Sequence, residues 1–371
     1  MRLLHLSDLH LGRRLYDLSL LEDQKYILKQ ILTKVEEKRP DAVLLCGDLY
    51  DKAVPPAEAV QVLDWFLTEL VNRETAVFMI SGNHDSAERL QFGADIFLGR
   101  RIFISSVFSG ASEPVVLEDQ YGKVSFYLLP FFKAVHARHV YPEAVMENDH
   151  EAVQYVLSRW ERNPEHRTVL LAHQTVAGAL RTDSEIVTIG GLDQIEAGLL
   201  DGFDYTALGH IHRAQSAGKE TVRYCGSPLA YSFSETEQKT ITWVDLMEKG
   251  NVSVWTEELF PMHPLRTIRG TFGELLSMTP SEDYLRAVLT DEEDVPHALA
   301  RLQDRFPNLL RLEYDNLRTQ LELMTEAPAE EILSPMELLK QFYVNRNGQE
   351  MSPRQLALAK ELMEQIWEGD I

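Results

Sequence analysis

Residues 42–51 read Ala-Val-Leu-Leu-Cys-Gly-Asp-Leu-Tyr-Asp, an apolar run that ends at a glycine and an aspartate. An apolar run of this length, bounded by glycine and polar residues, predicts a buried β-strand followed by a turn. In open α/β sheets, binding sites form just beyond the carboxyl ends of the strands. Asp48 is therefore predicted to lie at a strand end where a ligand can reach it.

The same arrangement recurs at four other places along the chain. Apolar runs at 3–6, 76–80, 169–172 and 205–208 each lead into residue types that bind metals. Besides Asp48, the residues at these ends are Asp8, His10, Asn83, His173, His210 and His212. A single histidine or aspartate at a strand end is more often a cap or a surface residue. Seven of them at five such places indicate one shared site.

The donor atoms of this set suggest its chemistry. Aspartate, asparagine and histidine offer oxygen and nitrogen but no thiolate, which suits manganese, iron, zinc or magnesium better than a cysteine-based structural zinc site. Seven such residues exceed the needs of one ion. If one carboxylate were shared between two ions, the result would be a two-metal site of the kind that cleaves phosphate esters.

These motifs resemble the signature of the calcineurin-like metallophosphoesterases. The matching stretches are Asp8-Leu-His10, Gly47-Asp48, Gly82-Asn83-His84-Asp85, His173 and Gly209-His210-Ile-His212. Blocks at 189–194 (Ile-Gly-Gly-Leu-Asp-Gln) and 224–235 (Tyr-Cys-Gly-Ser-Pro-Leu-Ala-Tyr-Ser-Phe-Ser-Glu) narrow the resemblance to the SbcD family, the nuclease subunits of bacterial SbcCD complexes. The resemblance covers nearly the whole chain. It implies an α/β fold, with a layered metallophosphoesterase β-sandwich flanked by helices.

The resemblance also implies roles for individual residues. Two divalent ions, expected to be manganese, would share Asp48 as a bridging ligand. The first ion would be held by Asp8, His10, Asp48 and His212, and the second by Asp48, Asn83, His173 and His210. His84 would not be a ligand but would lie beside the scissile phosphate, stabilising the transition state or protonating the leaving oxygen.

Neighbouring residues receive supporting roles. Asp85 would orient His84, as carboxylates outside a ligand shell often do for histidines. Arg13 and Arg14 follow the first motif and are candidates for contacts with DNA phosphates. Exposed arginines at the start of a helix are also common without any such role.

Composition limits the possible classes of protein. The 371 residues are 44% hydrophobic and 25% charged, as in soluble globular proteins, and allow two or three domains. No apolar run is long enough to predict a membrane span. The formal net charge of −22 gives no overall attraction for a phosphate backbone, so tight DNA binding would need a partner.

The N-terminal residues and the cysteines indicate in which cellular compartment the protein works. Because the first residues enter a strand and a motif at once, no signal peptide is expected. Cys46 and Cys225 are the two cysteines of the sequence and are predicted to be small buried hydrophobes without a disulfide framework. These features predict a cytoplasmic location.

Residues 1–264 alternate strand-like runs with helical patterns, which predicts the α/β nuclease domain. Helices are expected at 16–38, 58–72 and 150–162. Strands at 222–225, 240–244 and 252–256 are expected to form an antiparallel sheet that closes this domain. Pro261 and Pro264 mark its end.

Three further segments follow that boundary. Residues 265–318 are expected to form a small α+β capping domain with the order strand, helix, strand, helix, strand. Residues 319–333 are expected to be an acidic linker, and 334–371 a helix-loop-helix tail. The tail has amphipathic helices with little to pack against, which favours partner binding over intramolecular packing.

Together the motifs and the resemblance predict a two-metal DNA nuclease subunit. It would act as a 3′→5′ double-strand exonuclease and a single-strand and hairpin endonuclease, on DNA ends and hairpins. Its partner would be an SbcC-type coiled-coil ATPase bound through 334–371, within a heterotetramer that contains a homodimer of this chain. The alternatives are a metallophosphoesterase acting on a non-DNA phosphate ester and a DNA-end scaffold with structural metals.

Overall fold

The computed structural model describes residues 1–111, 113–185, 194–316, 335–347 and 349–359. A six-stranded sheet contains β1 (Arg2–Leu6), β4 (Ala42–Cys46), β5 (Ala76–Ile80), β6 (Ile102–Ser105), β15 (Thr240–Leu246) and β16 (Val252–Glu258). Their order across the sheet is β16-β15-β1-β4-β5-β6. The last four strands in that order are parallel, whereas β15 and β16 run antiparallel to their neighbours.

A second six-stranded sheet faces the first. It contains β7 (Val115–Asp119), β8 (Gly122–Leu129), β9 (Arg167–His173), β12 (Tyr205–Gly209), β13 (Gln215–Ala217) and β14 (Lys219–Tyr224), in the order β13-β14-β12-β9-β8-β7. The four inner strands are parallel and the two edge strands are antiparallel to them. Two-residue strands form the small pairs β2 (Arg14–Leu15) with β3 (Leu18–Ser19) and β10 (Thr175–Val176) with β11 (Gln194–Ile195).

Helices cover the outer face of each sheet. Helices α1 (Leu21–Lys38) and α2 (Ala57–Asn72) pack on the first sheet, and the short helices α3 (Ala87–Gln91) and α4 (Ala94–Leu98) follow β5. Helices α5 (Ala134–Val140) and α6 (Asp149–Ser158) pack on the second sheet, and a 3-10 turn (Ala197–Leu200) precedes β12. This arrangement confirms the predicted layered β-sandwich flanked by helices.

The apolar cluster between the sheets explains the character of the strand sequences. Leu44 and Phe78 from the first sheet meet Phe126 and Leu171 from the second, and all four are fully buried. Strands buried on both faces have continuous apolar runs instead of alternating ones. Cys46 and Cys225 are both buried free thiols, as predicted.

A third sheet lies beyond Pro264. Strands β17 (Leu265–Gly270), β18 (Tyr284–Leu289) and β19 (Leu309–Tyr314) are parallel, with α7 (Phe272–Ser277) and α8 (Ala298–Gln303) as the connections. The order of elements is the one expected from the sequence, and the sheet and helices share an apolar cluster of their own. We propose on this basis that residues 265–318 form a separate domain, of which 265–316 are described.

In the tail, α9 (Pro335–Asn347) begins at the proline expected at the first helical position, and 353–359 are also helical. The predicted linker 319–333 and residues 360–371 of the predicted tail lie outside the described residues. Across the described ranges, no helix is long and apolar enough to cross a membrane.

Two sequence expectations are wrong in detail. The helix expected at 16–38 begins at Leu21, because Tyr16 has a φ of 53° and lies in the turn of the β2–β3 hairpin. The strands expected at 222–225, 240–244 and 252–256 do not form one sheet. The first belongs to β14 of the second sheet, and the other two belong to β15 and β16 of the first. A local pattern identifies a strand but not the neighbour with which it pairs.

Candidate metal centre

The strand ends from both sheets meet at one end of the sandwich. The amide of Asp8 donates to the carbonyl O of Gly47 at 3.0 Å, which ties the loop after β1 to the loop after β4. The sheets approach each other so closely that a Cβ on Gly209 would lie 1.9 Å from the carbonyl O of Cys46. Glycine at the end of β12 therefore allows the histidines that follow it to reach the ends of the first sheet.

All seven predicted ligands are brought together there. Potential ligand atoms of Asp8, His10 and His212 lie within 4.8 Å of one another, and so do those of Asp48, His173 and His210. Asn83 joins the second group, because its Oδ1 lies 3.1 Å from Nε2 of His173 and 2.9 Å from Nδ1 of His210.

Asp48 lies between the two groups. Its Oδ2 is 3.7 Å from Nε2 of His10 in the first group and 3.4 Å from Nε2 of His173 in the second. Its Oδ1 accepts a hydrogen bond from the backbone N–H of His84 at 2.8 Å. The residue is 2% exposed, so the remaining contacts of its carboxylate are made inside the site.

The backbone at these positions is held in an unfavourable region. Asp8, His10, Asp48 and His210 have φ values of 53°, 41°, 49° and 99°. Such values are uncommon for residues other than glycine and cluster at functional sites. The loops are thus locally strained at four of the candidate ligands, whose side chains converge on one site.

The polar atoms fit divalent cations. Nε2 of His10 lies 3.1 Å from Nε2 of His212, a close approach of two imidazole nitrogens. Nδ1 of His10 is buried and has no hydrogen-bond partner among the described residues. Buried polar atoms normally have partners, and a nitrogen–oxygen donor set suits a divalent ion. We therefore find the residues suited to divalent metal binding.

Burial and charge have opposing effects on the pKa values of the site. Burial lowers the pKa of His10, and burial together with the nearby His173 lowers that of His210 to about 3. Burial would also lower the pKa of His173, but the Asp48 carboxylate outweighs it and raises this pKa to about 9. Burial would raise the pKa of Asp48, but the charge of His173 outweighs it and lowers this pKa. Asp48 is thus kept ionised, the state that binds a cation.

Two buried glutamates support His212. Oε1 of Glu235 lies 3.2 Å from Nδ1 of His212, and Oε1 of Glu185 accepts from the backbone N–H of His212 at 2.7 Å. A carboxylate on a ring nitrogen, as Glu235 is here, fixes the ring and tautomer of a metal-binding histidine, whereas Glu185 holds the backbone of His212. Neither glutamate was expected from the sequence to have a role. A possible signal was the position of Glu235 at the end of the 224–235 block.

His84 is held differently from the expectation. Its Nδ1 lies 2.9 Å from the carbonyl O of Asp51, which leaves Nε2 as the ring nitrogen directed elsewhere. The carboxylate of Asp85 accepts hydrogen bonds from the backbone N–H groups of Leu49, Tyr50 and Gly82. The expectation that Asp85 orients His84 is therefore corrected: Asp51 contacts the ring, whereas Asp85 joins the loops after β4 and β5.

The two candidate DNA-binding arginines lie in different surroundings. Nη1 of Arg13 pairs with Oδ1 of Asp51 at 2.7 Å, at the edge of the metal centre. Arg14 is exposed on β2, and its guanidinium bonds the carbonyl O of Asp17 within the same hairpin. A role in DNA binding stays a prediction for both.

Comparisons with known proteins identify the family of the chain. A family model described as calcineurin-like phosphoesterase matches residues 1–214, and one described as type 5 capsule protein repressor C-terminal domain matches 261–347. The chain belongs to the calcineurin-like phosphoesterases, and it is a metal-dependent phosphodiesterase. The SbcD component of the SbcCD nuclease from Staphylococcus saprophyticus is 30% identical over 380 residues, covering 99% of each chain. Within the class, the chain therefore belongs to the SbcD family.

Two solved structures are also similar in part. A dimetal phosphatase from Danio rerio has a TM-score of 0.42 and 14% identity, and covers 71% of this chain and 98% of its own. A protein from Thermus thermophilus has a TM-score of 0.39 and 12% identity, and covers 69% of this chain and 98% of its own.

Proposed function

We propose that this chain is the manganese-dependent DNA nuclease subunit of an SbcCD-type complex, active in DNA end processing, repair and recombination. Its activities would be 3′→5′ exonuclease action on duplex ends and endonuclease action on single strands and hairpins. The observation that supports this best is Asp48, whose Oδ2 lies between two groups of metal-binding side chains at 3.7 and 3.4 Å. The kinship with an SbcD protein over 99% of the chain supports the choice of DNA as substrate.

Each residue of the site would have its own role in the reaction. Asp8, His10, Asp48 and His212 would hold one ion, and Asp48, Asn83, His173 and His210 the other. When bound, the ions supply an activated water and positive charge for the phosphate oxygens. Glu235 keeps the ring of His212 in place. His84, with Nδ1 on the carbonyl O of Asp51, would present Nε2 to the leaving oxygen and donate a proton to it.

The test of this proposal is a nuclease assay with and without manganese, combined with metal analysis. Wild-type protein should cleave single-stranded DNA with manganese, bind two ions per chain, and lose activity with a chelator. Asp48→Asn should lose most of the activity, because a bridging carboxylate gives charge to both ions. Wild-type activity with one bound ion, or in the presence of chelator, would contradict the two-ion site.

The rival enzymatic proposal is a phosphoesterase with a non-DNA substrate. No described feature favours it over the nuclease, and the same assay separates the two. Hydrolysis of small phosphodiesters without any cleavage of DNA would support the rival. The scaffold alternative would require bound metals with no hydrolysis of either substrate.

We further propose that the tail binds an SbcC-type ATPase. Phe342 and Leu358, one from each described tail helix, are 66% and 54% exposed. The hydroxyl of Tyr343 accepts from Nε2 of Gln355 at 2.9 Å, a contact that joins these helices. Apolar side chains on such a pair suit a groove or helix of a partner. The apolar pattern of the sequence also predicts Leu362 and Trp367 on this surface, and both lie outside the described residues.

Deletion of residues 334–371 tests the role of the tail. The deletion should abolish co-purification with the ATPase but leave manganese-dependent cleavage of single-stranded DNA within about twofold, because the candidate ligands all precede residue 213. With a net charge of −22, the isolated protein should bind duplex DNA weakly and in a salt-sensitive way. Unchanged affinity for the ATPase, or unfolding of the truncated chain, would contradict the assignment.

We also propose that two copies of the chain pair within the complex. The short helices α3 and α4, which follow the His84 loop, and the turn between them expose Phe92, Ile96 and Leu98 at 85%, 79% and 51%. A cluster of large exposed apolar side chains is a common mark of a protein–protein interface.

A further inference from the structure

The carboxylate of Asp23 is buried and has no part in the metal centre. Asp23 lies in the first turn of α1 and is 2% exposed. Its Oδ1 lies 2.9 Å from Nδ1 of His263, and its Oδ2 accepts from the hydroxyl of Tyr284 at 2.7 Å. His263 lies between the two prolines of the connection and Tyr284 lies on β18. Asp23, on a helix that covers the first sheet, therefore contacts both the connection to the third sheet, at His263, and the third sheet itself, at Tyr284. The connection and the proposed capping domain together, residues 261–316, are called the capping region below.

The next residue of the same helix turns toward the metal centre. Nε2 of Gln24 donates to the carbonyl O atoms of His10 at 2.7 Å and Leu9 at 3.1 Å. Oε1 of Gln24 accepts from the backbone N–H of Gly12 at 3.0 Å. Consecutive residues of an α-helix point about 100° apart, since a turn contains 3.6 residues. One helical turn thus holds both the capping region and the loop that carries His10.

Leu265 and Leu310 of the capping region also pack against the apolar cluster of the first sheet. The other polar contacts between the capping region and the sandwich are less confining. The guanidinium of Arg311 bonds the hydroxyl of Tyr16 at 3.2 Å, and that of Arg286 lies 5.5 Å from the ring centre of Phe233. Both arginines reach these partners from strands of the third sheet, and the contact between Arg311 and Tyr16 is exposed. Flexible exposed pairs tolerate a range of positions and add little stability.

The Asp23 contacts, by contrast, permit little displacement. A buried carboxylate that loses its donors is left without compensation for the loss of water, which is strongly unfavourable. Tyr284 is 5% exposed and also packs in the apolar cluster of the first sheet. The buried polar contacts that fix the docked position of the capping region are therefore concentrated at Asp23, on the helix that also holds the loop of His10.

We propose that Asp23 is a positioning residue that fixes the capping region beside the metal centre and so determines how duplex DNA reaches it. This inference rests on the proposed nuclease function. A small phosphodiester needs only the metal centre, whereas a duplex is wide enough to contact the capping region as well. Loss of the Asp23 contacts should affect the two substrates differently.

The first test compares the full-length variants Asp23→Ala and Tyr284→Phe with wild type. With duplex DNA, KM should rise about tenfold for Asp23→Ala and less for Tyr284→Phe, since hydrogen bonds to a charged group are among the stronger ones. For both variants, kcat on duplex DNA and kcat/KM for bis(p-nitrophenyl) phosphate should stay within about twofold of wild type. The control Asp304→Ala removes an exposed carboxylate of the same region and should leave both substrates unaffected.

Equal loss on both substrates, or unchanged KM for duplex DNA, would overturn the proposal. Tyr284→Phe keeps the aromatic ring, so this variant still tests the contact if Asp23→Ala fails to fold. The double variant should resemble Asp23→Ala, because both changes remove the same contact.

The second test needs no DNA cleavage. Hydrogen exchange of wild type and Tyr284→Phe should show faster exchange at residues 261–289 in the variant, with unchanged exchange at β4 and β5. Unchanged exchange at 261–289 would refute the positioning role directly. If wild type cleaved no DNA yet the exchange differed as expected, the nuclease proposal would fail and the positioning role of Asp23 would stand.

Discussion

His84→Asn is the most informative single change in the site. In the structure Nδ1 of His84 is engaged by the carbonyl O of Asp51 at 2.9 Å, so Nε2 is the ring nitrogen available to a leaving oxygen. The amide of asparagine can keep a hydrogen bond to Asp51 but places nothing at the position of Nε2. The variant therefore removes the proposed acid with little disturbance of the loop.

The expected magnitude follows from the role of a general acid. Loss of such a group lowers kcat by roughly 10²–10⁴-fold, an increase in activation free energy of about 3–5 kcal/mol. That loss should appear with DNA, where the leaving alkoxide needs a proton. With bis(p-nitrophenyl) phosphate, whose leaving group departs readily as an anion, the loss should be less than about tenfold.

The assay combines steady-state kinetics on both substrates with metal analysis of the purified proteins. His84→Asn should retain two ions per chain and wild-type affinity for single-stranded DNA. His10, Asp48 and His84 could themselves hold an ion, because their ligand atoms lie within 4.8 Å of one another. Loss of one ion in the variant would refute the assignment of His84 as a non-ligand, and equal losses on both substrates would refute its role as an acid.

Two other predictions concern the support of the candidate ligands. Glu235→Gln should weaken manganese binding about 10- to 100-fold in a metal titration, because Oε1 of Glu235 lies 3.2 Å from Nδ1 of His212. Glu237→Gln, which alters a partly exposed partner of Arg213, is the control and should change the affinity less than twofold. Gly82→Ala should lower manganese-dependent activity at least tenfold in the phosphodiesterase assay, because its Cβ would lie 2.1 Å from Oδ1 of Asp48. Gly273→Ala meets no atom within 4 Å and should leave that activity intact.

The strand ends of both sheets meet at the metal centre, which explains why the loops that carry the ligands have a strained backbone. Asp8, His10, Asp48 and His210 all have positive φ, and Gly209 has backbone of the first sheet against it. The buried strands on which these loops stand supply the packing that maintains such conformations. The packing that stabilises the sandwich thus also maintains the geometry of the site.

Much of the site was predictable from the sequence alone. The five apolar runs are local features, and each places its polar residues directly at the end of a strand. Asp8, His10, Asp48, Asn83, His173, His210 and His212 could therefore be predicted to share a site before any contact was known. The order of strands and helices in 265–314 could also be predicted from the sequence, because hydrophobic periodicity and turn residues are local features.

Only the tertiary structure decided which groups touch one another across long separations. It separated 222–224, in the second sheet, from 240–244 and 252–256, in the first. It placed Glu235 and Glu185 against His212, and it replaced Asp85 by Asp51 as the neighbour of the His84 ring. It also joined Asp23 to Tyr284, which is 261 residues away in the chain. Such contacts depend on how strands pair and how sheets face each other. These choices are set by the packing of the whole chain, which no local pattern of residues encodes.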